Sequence, residues 1–133
     1  MRIFLDTNVL ASALTTRGLC ADLFQAVTKD HVLIVGVPVV AELRRILPRS
    51  FKLPAPLVEA YLGVLAEIGE PADRIVSPTV AIPDPDDVAV IGSALGAAAE
   101  LFVTGDKLLL GLANVDGLPI VSPRGCWERL AAH

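Results

Sequence analysis

The sequence is short of cysteine, of basic charge and of long apolar stretches, and each shortage excludes something. Cys20 and Cys126 are the only cysteines. Two are too few for a disulfide framework, so both are expected as buried thiols in a reducing cytoplasm. Lysine and arginine number 11 against 15 acidic residues, a net charge of −4, which excludes a generic polyanion binder. No apolar run approaches the ~18 residues of a membrane span. The longest, residues 88–99, is rich in glycine and alanine and reads as a buried helix. An apolar strand begins at Ile3, which leaves no room for a signal peptide. There is no internal repeat, low-complexity tract or linker, and residues 1–133 read as one domain. What is abundant is apolar: 53% of the residues are hydrophobic. A domain of about 150 residues buries roughly 68–70% of its unfolded surface, so a full core is expected here without staples.

The stretch Ile3-Phe4-Leu5-Asp6-Thr7-Asn8-Val9-Leu10 sets the pattern. An apolar run stops at Asp6, and the spacing then changes to Val9, Leu10, Ala13 and Leu14, one face of a helix. This is a buried strand feeding a helix, with a carboxylate at the strand's carboxyl end, where open α/β sheets bind ligands. A helix follows over residues 19–27 and a second strand over residues 31–35. A third helix opens at Gly36-Val37-Pro38, with Val39, Val40, Leu43, Ile46 and Leu47 as its buried stripe, and Pro48 is expected to end it. Next come a long helix closed by Gly69, a short strand over residues 74–76, and a helix over residues 85–99. The chain finishes with a strand over residues 101–103, a short helix over residues 108–112, a strand over residues 119–121 and a helix from Pro123. Alternation of continuous apolar strands with helices predicts an α/β fold whose parallel sheet is covered on both faces.

Six acids stand out, each with a plain structural explanation. Asp6, Asp84 and Asp106 suit helix caps, and Asp86 and Asp87 suit the positive end of a helix. Glu42 suits the water-facing edge of its helix. Position argues for more. Asp87 shares the stripe of Ile91, Ala94 and Ala98, while Asp86 turns about 100° away from it. A carboxylate aimed at a core is costly unless paired or bound to metal. Asp6, Glu42, Asp87 and Asp106 all fall at the carboxyl edge of the sheet. Such an oxygen-only cluster suits Mg²⁺ or Mn²⁺, and the lack of histidine or cysteine in it argues against zinc. Asn8, Ser12 and Thr104 stand near the acids and suit orienting roles, Ser12 one helical turn after Asn8.

These segments resemble the PIN-domain ribonucleases, in particular the VapC-like toxin components of toxin–antitoxin pairs. Phe4-Leu5-Asp6-Thr7-Asn8-Val9-Leu10 matches their first motif, and Val40-Ala41-Glu42-Leu43-Arg44-Arg45-Ile46-Leu47 the second. Asp84-Pro85-Asp86-Asp87-Val88 resembles the third, and Leu101-Phe102-Val103-Thr104-Gly105-Asp106-Lys107-Leu108-Leu109 the fourth. Residues 51–82 carry no such likeness. The resemblance implies a three-layer α/β/α sandwich with a five-stranded parallel sheet of order 3-2-1-4-5. It also implies Mg²⁺- or Mn²⁺-dependent cleavage of RNA, with Asp6, Glu42, Asp87 and Asp106 as metal-binding acids. It places Asp84 where it reaches an ion through water. A homodimer and a small cognate antitoxin are implied as well.

A basic strip of Arg44, Arg45, Arg49 and Lys52 suits an RNA backbone or an antitoxin, and equally an ordinary solvated helix face. Other classes compete. A Mg²⁺-dependent phosphatase of the haloacid-dehalogenase type needs Asp-x-Asp, but Asn8 occupies the second position. A receiver domain needs a phosphoacceptor Asp after its middle strand, and Val76-Ser77-Pro78 offers none. A PIN-like subunit that binds RNA or protein without cutting it is the alternative from a different class.

Overall fold

Ile3, Phe4 and Leu5 are completely buried. Successive residues of a strand face opposite sides of the sheet, so both faces are covered. The computed structural model describes residues 1–132; His133, the last residue of the expected domain, lies outside the described residues. The central strand is β1 (Arg2–Leu5), followed by α1 (Thr7–Thr15), α2 (Leu19–Asp30) and β2 (Val32–Gly36). Then come α3 (Val37–Ser50), α4 (Ala55–Ile68), β3 (Glu70–Ala72), α5 (Asp86–Gly96) and β4 (Leu101–Val103). The chain ends with α6 (Lys107–Leu110), β5 (Asn114–Val115), β6 (Leu118–Val121) and α7 (Pro123–Ala131).

The sheet order is β3-β2-β1-β4-β6-β5. Its first five strands are parallel and run in the expected order, β6 taking the fifth place. The sixth strand, β5, is an antiparallel addition at the edge. Asp116 and Gly117 join it to β6 with φ of 51° and 89°. Two central residues with positive φ make the tight hairpin turn that Asp-Gly favours. The buried side chains form one hydrophobic cluster that contains residues of every sheet strand. α1 packs against α2 and α3, and α3 also packs against α4 and α5.

Three expected elements differ. The third strand is Glu70-Pro71-Ala72, pairing with Ile34, Val35 and Gly36, and not residues 74–76. It is an edge strand, where proline's missing N–H is tolerated. Residues 74–76 instead run along α5. Val76 N donates to the Gly92 carbonyl at 3.0 Å, and a Cβ on Gly92 would meet Ile75 Cγ2 at 2.7 Å. The apolar character of this segment covers a helix with no side chain at that point. Pro48 does not end α3, which continues to Ser50. It sits exposed in the last two turns, where the carbonyl it leaves unpaired, that of exposed Arg44, is open to water. Finally α5 stops at Gly96, and Ala98 has φ of 54°, so Ala98 lies beyond the stripe of Asp87, Ile91 and Ala94.

Candidate active site

Adjacent strands β1 and β4 each run one residue past their assigned ends. Asp6 N donates to the Val103 carbonyl at 2.9 Å, and Thr104 N to the Val121 carbonyl at 3.0 Å. Because Phe4 pairs with Phe102, Asp6 comes level with Thr104, and both side chains leave the same face. Thr104 Oγ1 donates to Asp6 Oδ2 at 2.8 Å. The same hydroxyl accepts from Asp106 N at 3.0 Å and from Asn8 Nδ2 at 3.3 Å. Asn8 Nδ2 also reaches Asp6 Oδ2 at 3.3 Å, while its Oδ1 accepts from Gly105 N at 2.9 Å. Thr7 N donates to Asp6 Oδ1 at 2.8 Å. The Asn8 amide is thus spent on tying α1 to the loop after β4, and it has no acid to offer as a phosphatase would require.

The remaining acids arrive on other elements and act on one another. Burial raises the Asp6 carboxyl above its ordinary range, and the Asp106 charge adds to this against the lowering effect of Thr104, Thr7 N and Asn8. Glu42 of α3 is raised by burial and then by Asp6 and Asp86, with Thr7 and Arg45 opposing. Asp87 of α5 is pushed up to about 6 by burial and by the charges of Asp6, Asp84, Asp106 and Glu42. Asp106 also caps α6, its Oδ1 accepting from Leu108 N at 2.9 Å. The four acids therefore share one electrostatic site, with Arg45 the cation that acts on it.

Among the described residues no three acidic, histidine or cysteine side chains form a ready-made cage for an ion. The donor set nonetheless fits Mg²⁺ or Mn²⁺. Such ions take carboxylate oxygens, keep several waters and complete their shell with substrate phosphates, so they need no closed protein cage. The buried hydroxyl oxygen of Thr7 beside the acids lacks any hydrogen-bond partner, as a site with an absent ligand would show.

Other expected residues are placed differently from one another. Asp84 is exposed, and its Oδ1 accepts from Asp86 N at 2.9 Å, capping α5 while its charge reaches Asp87. Ser12 is not joined to the acids by a hydrogen bond; its hydroxyl meets Thr16 Oγ1 at 3.2 Å. Arg44 pairs with Glu59 of α4 at 3.2 Å, whereas Arg45 acts on Glu42 through its charge. Arg49 and Lys52 are exposed. Thr7 and Gly105 take part in the site without having been singled out, and their one signal was adjacency to Asp6 and Asp106; Asp86, which helical spacing turns away from Asp87, still acts on Glu42 through its charge. An apolar groove of about 560 Å³ lies between α3 and α4, lined in part by Val37, Val40 and Leu62. None of the four acids lines it, so the chemistry belongs to the acidic sheet edge and not to this cavity.

A family model described as "PIN domain" matches residues 2–108. The chain belongs to the PIN domain family. The matched stretch holds Asp6, Glu42, Asp87 and Asp106, and it stops before β5, β6 and α7. No curated protein sequence matches the chain. Among solved structures, the chain is similar to one of the VapBC2 structure from Rickettsia felis, determined bound to a DNA fragment from their promoter. The TM-score is 0.67 at 16% identity, covering 92% of this chain and 98% of the other. At that identity the likeness concerns the fold. No described helix of this PIN domain is long and apolar enough to cross a membrane.

Proposed function

We propose that this PIN-domain protein is a Mg²⁺- or Mn²⁺-dependent endoribonuclease, the toxin of a toxin–antitoxin pair. The observation that carries the reading is at Asp87, which burial and the charges of Asp6, Asp84, Asp106 and Glu42 together push up to about 6. A carboxylate raised by its acidic neighbours in this way is stabilised by a divalent cation. Asp6, Asp87 and Asp106 would hold the ion, and Glu42 completes the set and positions the attacking water. A bound ion supplies Lewis-acid stabilisation of charge developing on the phosphodiester. Thr104 and Asn8 fix the orientation of Asp6 by their hydrogen bonds. Water is the nucleophile, so no covalent enzyme intermediate forms. Arg45, Arg49 and Lys52 would guide the RNA backbone or meet the antitoxin, while Arg44 pairs with Glu59. The antitoxin partner is supported by the shared fold with VapBC2, and a homodimer is part of the same proposal.

Mixed RNA incubated with the protein should be cut in Mn²⁺ and left intact in EDTA. Cutting that persists in EDTA overturns the metal-dependent reading. RNA binding without cutting, in a protein whose melting temperature ignores Mn²⁺, would favour the non-catalytic binding subunit.

A pH dependence follows from Asp87. Its carboxyl holds a proton more tightly in the folded chain, at about 6, than at its ordinary value of 3.8. The folded state therefore binds more protons between these values, and this group's contribution to stability is present at low pH and lost as pH rises through about 6. Mn²⁺ must displace that proton, so its apparent affinity should climb by up to about tenfold per pH unit below about 6 and level off above. Thermal melts of wild type and Asp87→Asn, with and without Mn²⁺, measure both. Identical pH profiles for the two proteins would remove Asp87 from the site.

A further inference from the structure

Three threonines at the two ends of α1 use their hydroxyls differently. Thr15 Oγ1 donates to the Ala11 carbonyl at 2.6 Å, and Thr16 Oγ1 to the Ser12 carbonyl at 2.7 Å. Each reaches four residues back along the helix, the usual local partner for this side chain. Thr7 cannot do so. It is the first residue of α1, and the residue four before it, Ile3, lies in β1 between β2 and β4. Thr7 is only 2% exposed. Its hydroxyl oxygen is the one buried side-chain polar atom without a hydrogen-bond partner among the described residues. Buried hydroxyls are nearly always paired, because an unpaired one has given up its bonds to water for nothing.

The acceptors around it narrow the choice. Asp6 Oδ1 already takes Thr7 N, and Asp6 Oδ2 takes Thr104 and Asn8. Glu42 is carried on α3, which packs against α1, and the Thr7 side chain favours its charged form, yet Thr7 Oγ1 has no completed hydrogen bond. We infer that Thr7 is a positioning residue: its buried hydroxyl donates to the Glu42 carboxylate once that carboxylate turns inward to hold a divalent ion. The inference rests on the metal-dependent reading above and assigns to it a residue that acts through Glu42.

The test is Mn²⁺ titration followed as thermal stabilisation, at a pH where Asp87 is ionised, on the full chain. Thr7→Val keeps the side chain's shape and removes the orphan hydroxyl. It should weaken Mn²⁺ binding by about tenfold or more, the scale of lost outer-shell contacts, with a metal-free melting temperature no lower than wild type. Thr7→Ser should restore the affinity. If the valine variant does not fold, Thr7→Ala read against Thr7→Ser carries the same comparison. In a Glu42→Ala background, Thr7→Val should add no further loss, because the two act as a unit. Wild-type affinity in Thr7→Val, failure of serine to restore it, or additive losses with Glu42→Ala would each overturn the inference while leaving the metal reading standing. A wild-type protein that Mn²⁺ does not stabilise overturns both.

Discussion

An Asp6→Asn variant should lose RNA cleavage by about a hundredfold or more, and its melting temperature should no longer rise with Mn²⁺. Outer-shell changes at metal sites alone cost about 10- to 100-fold, and Asp6 is proposed as a ligand itself. The fold should survive. Asparagine has the shape of aspartate, and its amide oxygen can still accept from Thr7 N. Its nitrogen would then face Thr104 Oγ1, whose two lone pairs already accept from Asp106 N and Asn8 Nδ2. The bonds from Thr104 and Asn8 to Asp6 Oδ2 are therefore lost, which is offset because a carboxyl raised by burial no longer has to be ionised in the interior. Metal-free melting close to wild type, together with lost cleavage, would locate the effect at the ion and not in the fold. Cleavage retained at the wild-type rate would remove Asp6 from the chemistry.

The elements whose side chains decide their structure were legible in the sequence. Ile3-Phe4-Leu5 and Leu101-Phe102-Val103 are buried on both faces, so they had to read as unbroken apolar runs, and each gives way to the polar residues of the acidic edge. The carboxyl edge of the sheet was visible for the same reason. Asp87 is half-buried and Asp86 exposed, a difference that helical periodicity with Ile91 and Ala94 carries. Elements settled by the backbone were not legible. Glu70-Pro71-Ala72 has no strand-like side chains, and it pairs because the β2 edge beside it is open. Ile75 and Val76 look like a strand, yet they lie against Gly92 of α5. β5 is two residues long, and its only signal was the Asp116-Gly117 turn between Val115 and Leu118. The relation of Thr7 to Glu42 joins a helix start to another helix across the core, and no spacing along the chain records it.

Phe102→Ala should cost about 3–5 kcal/mol of stability, the usual range for removing a phenylalanine from a packed core. Total stabilities run to about 5–15 kcal/mol, so this one change takes a large share. Phe4 and Phe102 are opposite each other on adjacent strands, fully buried, and stacked with ring centroids 5.1 Å apart and 11° between planes. There is no slack around them. A Cβ on Gly36 would lie 2.9 Å from Phe4 Cζ and 2.6 Å from Ser93 Oγ, so β2 approaches the stack too closely for any side chain there. Phe102→Leu keeps more of the volume and should cost less, which urea unfolding of both variants would show. The stack also bears on function. Side chains two residues apart on a strand leave the same face, so Phe4 precedes Asp6 and Phe102 precedes Thr104 in one register. Loosening the rings lets that register relax, and with it the 2.8 Å bond from Thr104 Oγ1 to Asp6 Oδ2. The folded fraction of Phe102→Ala should therefore also bind Mn²⁺ more weakly. Unchanged Mn²⁺ affinity in a destabilised variant would show that the hydrogen bonds of Asn8 and Thr104 hold Asp6 without help from the stack.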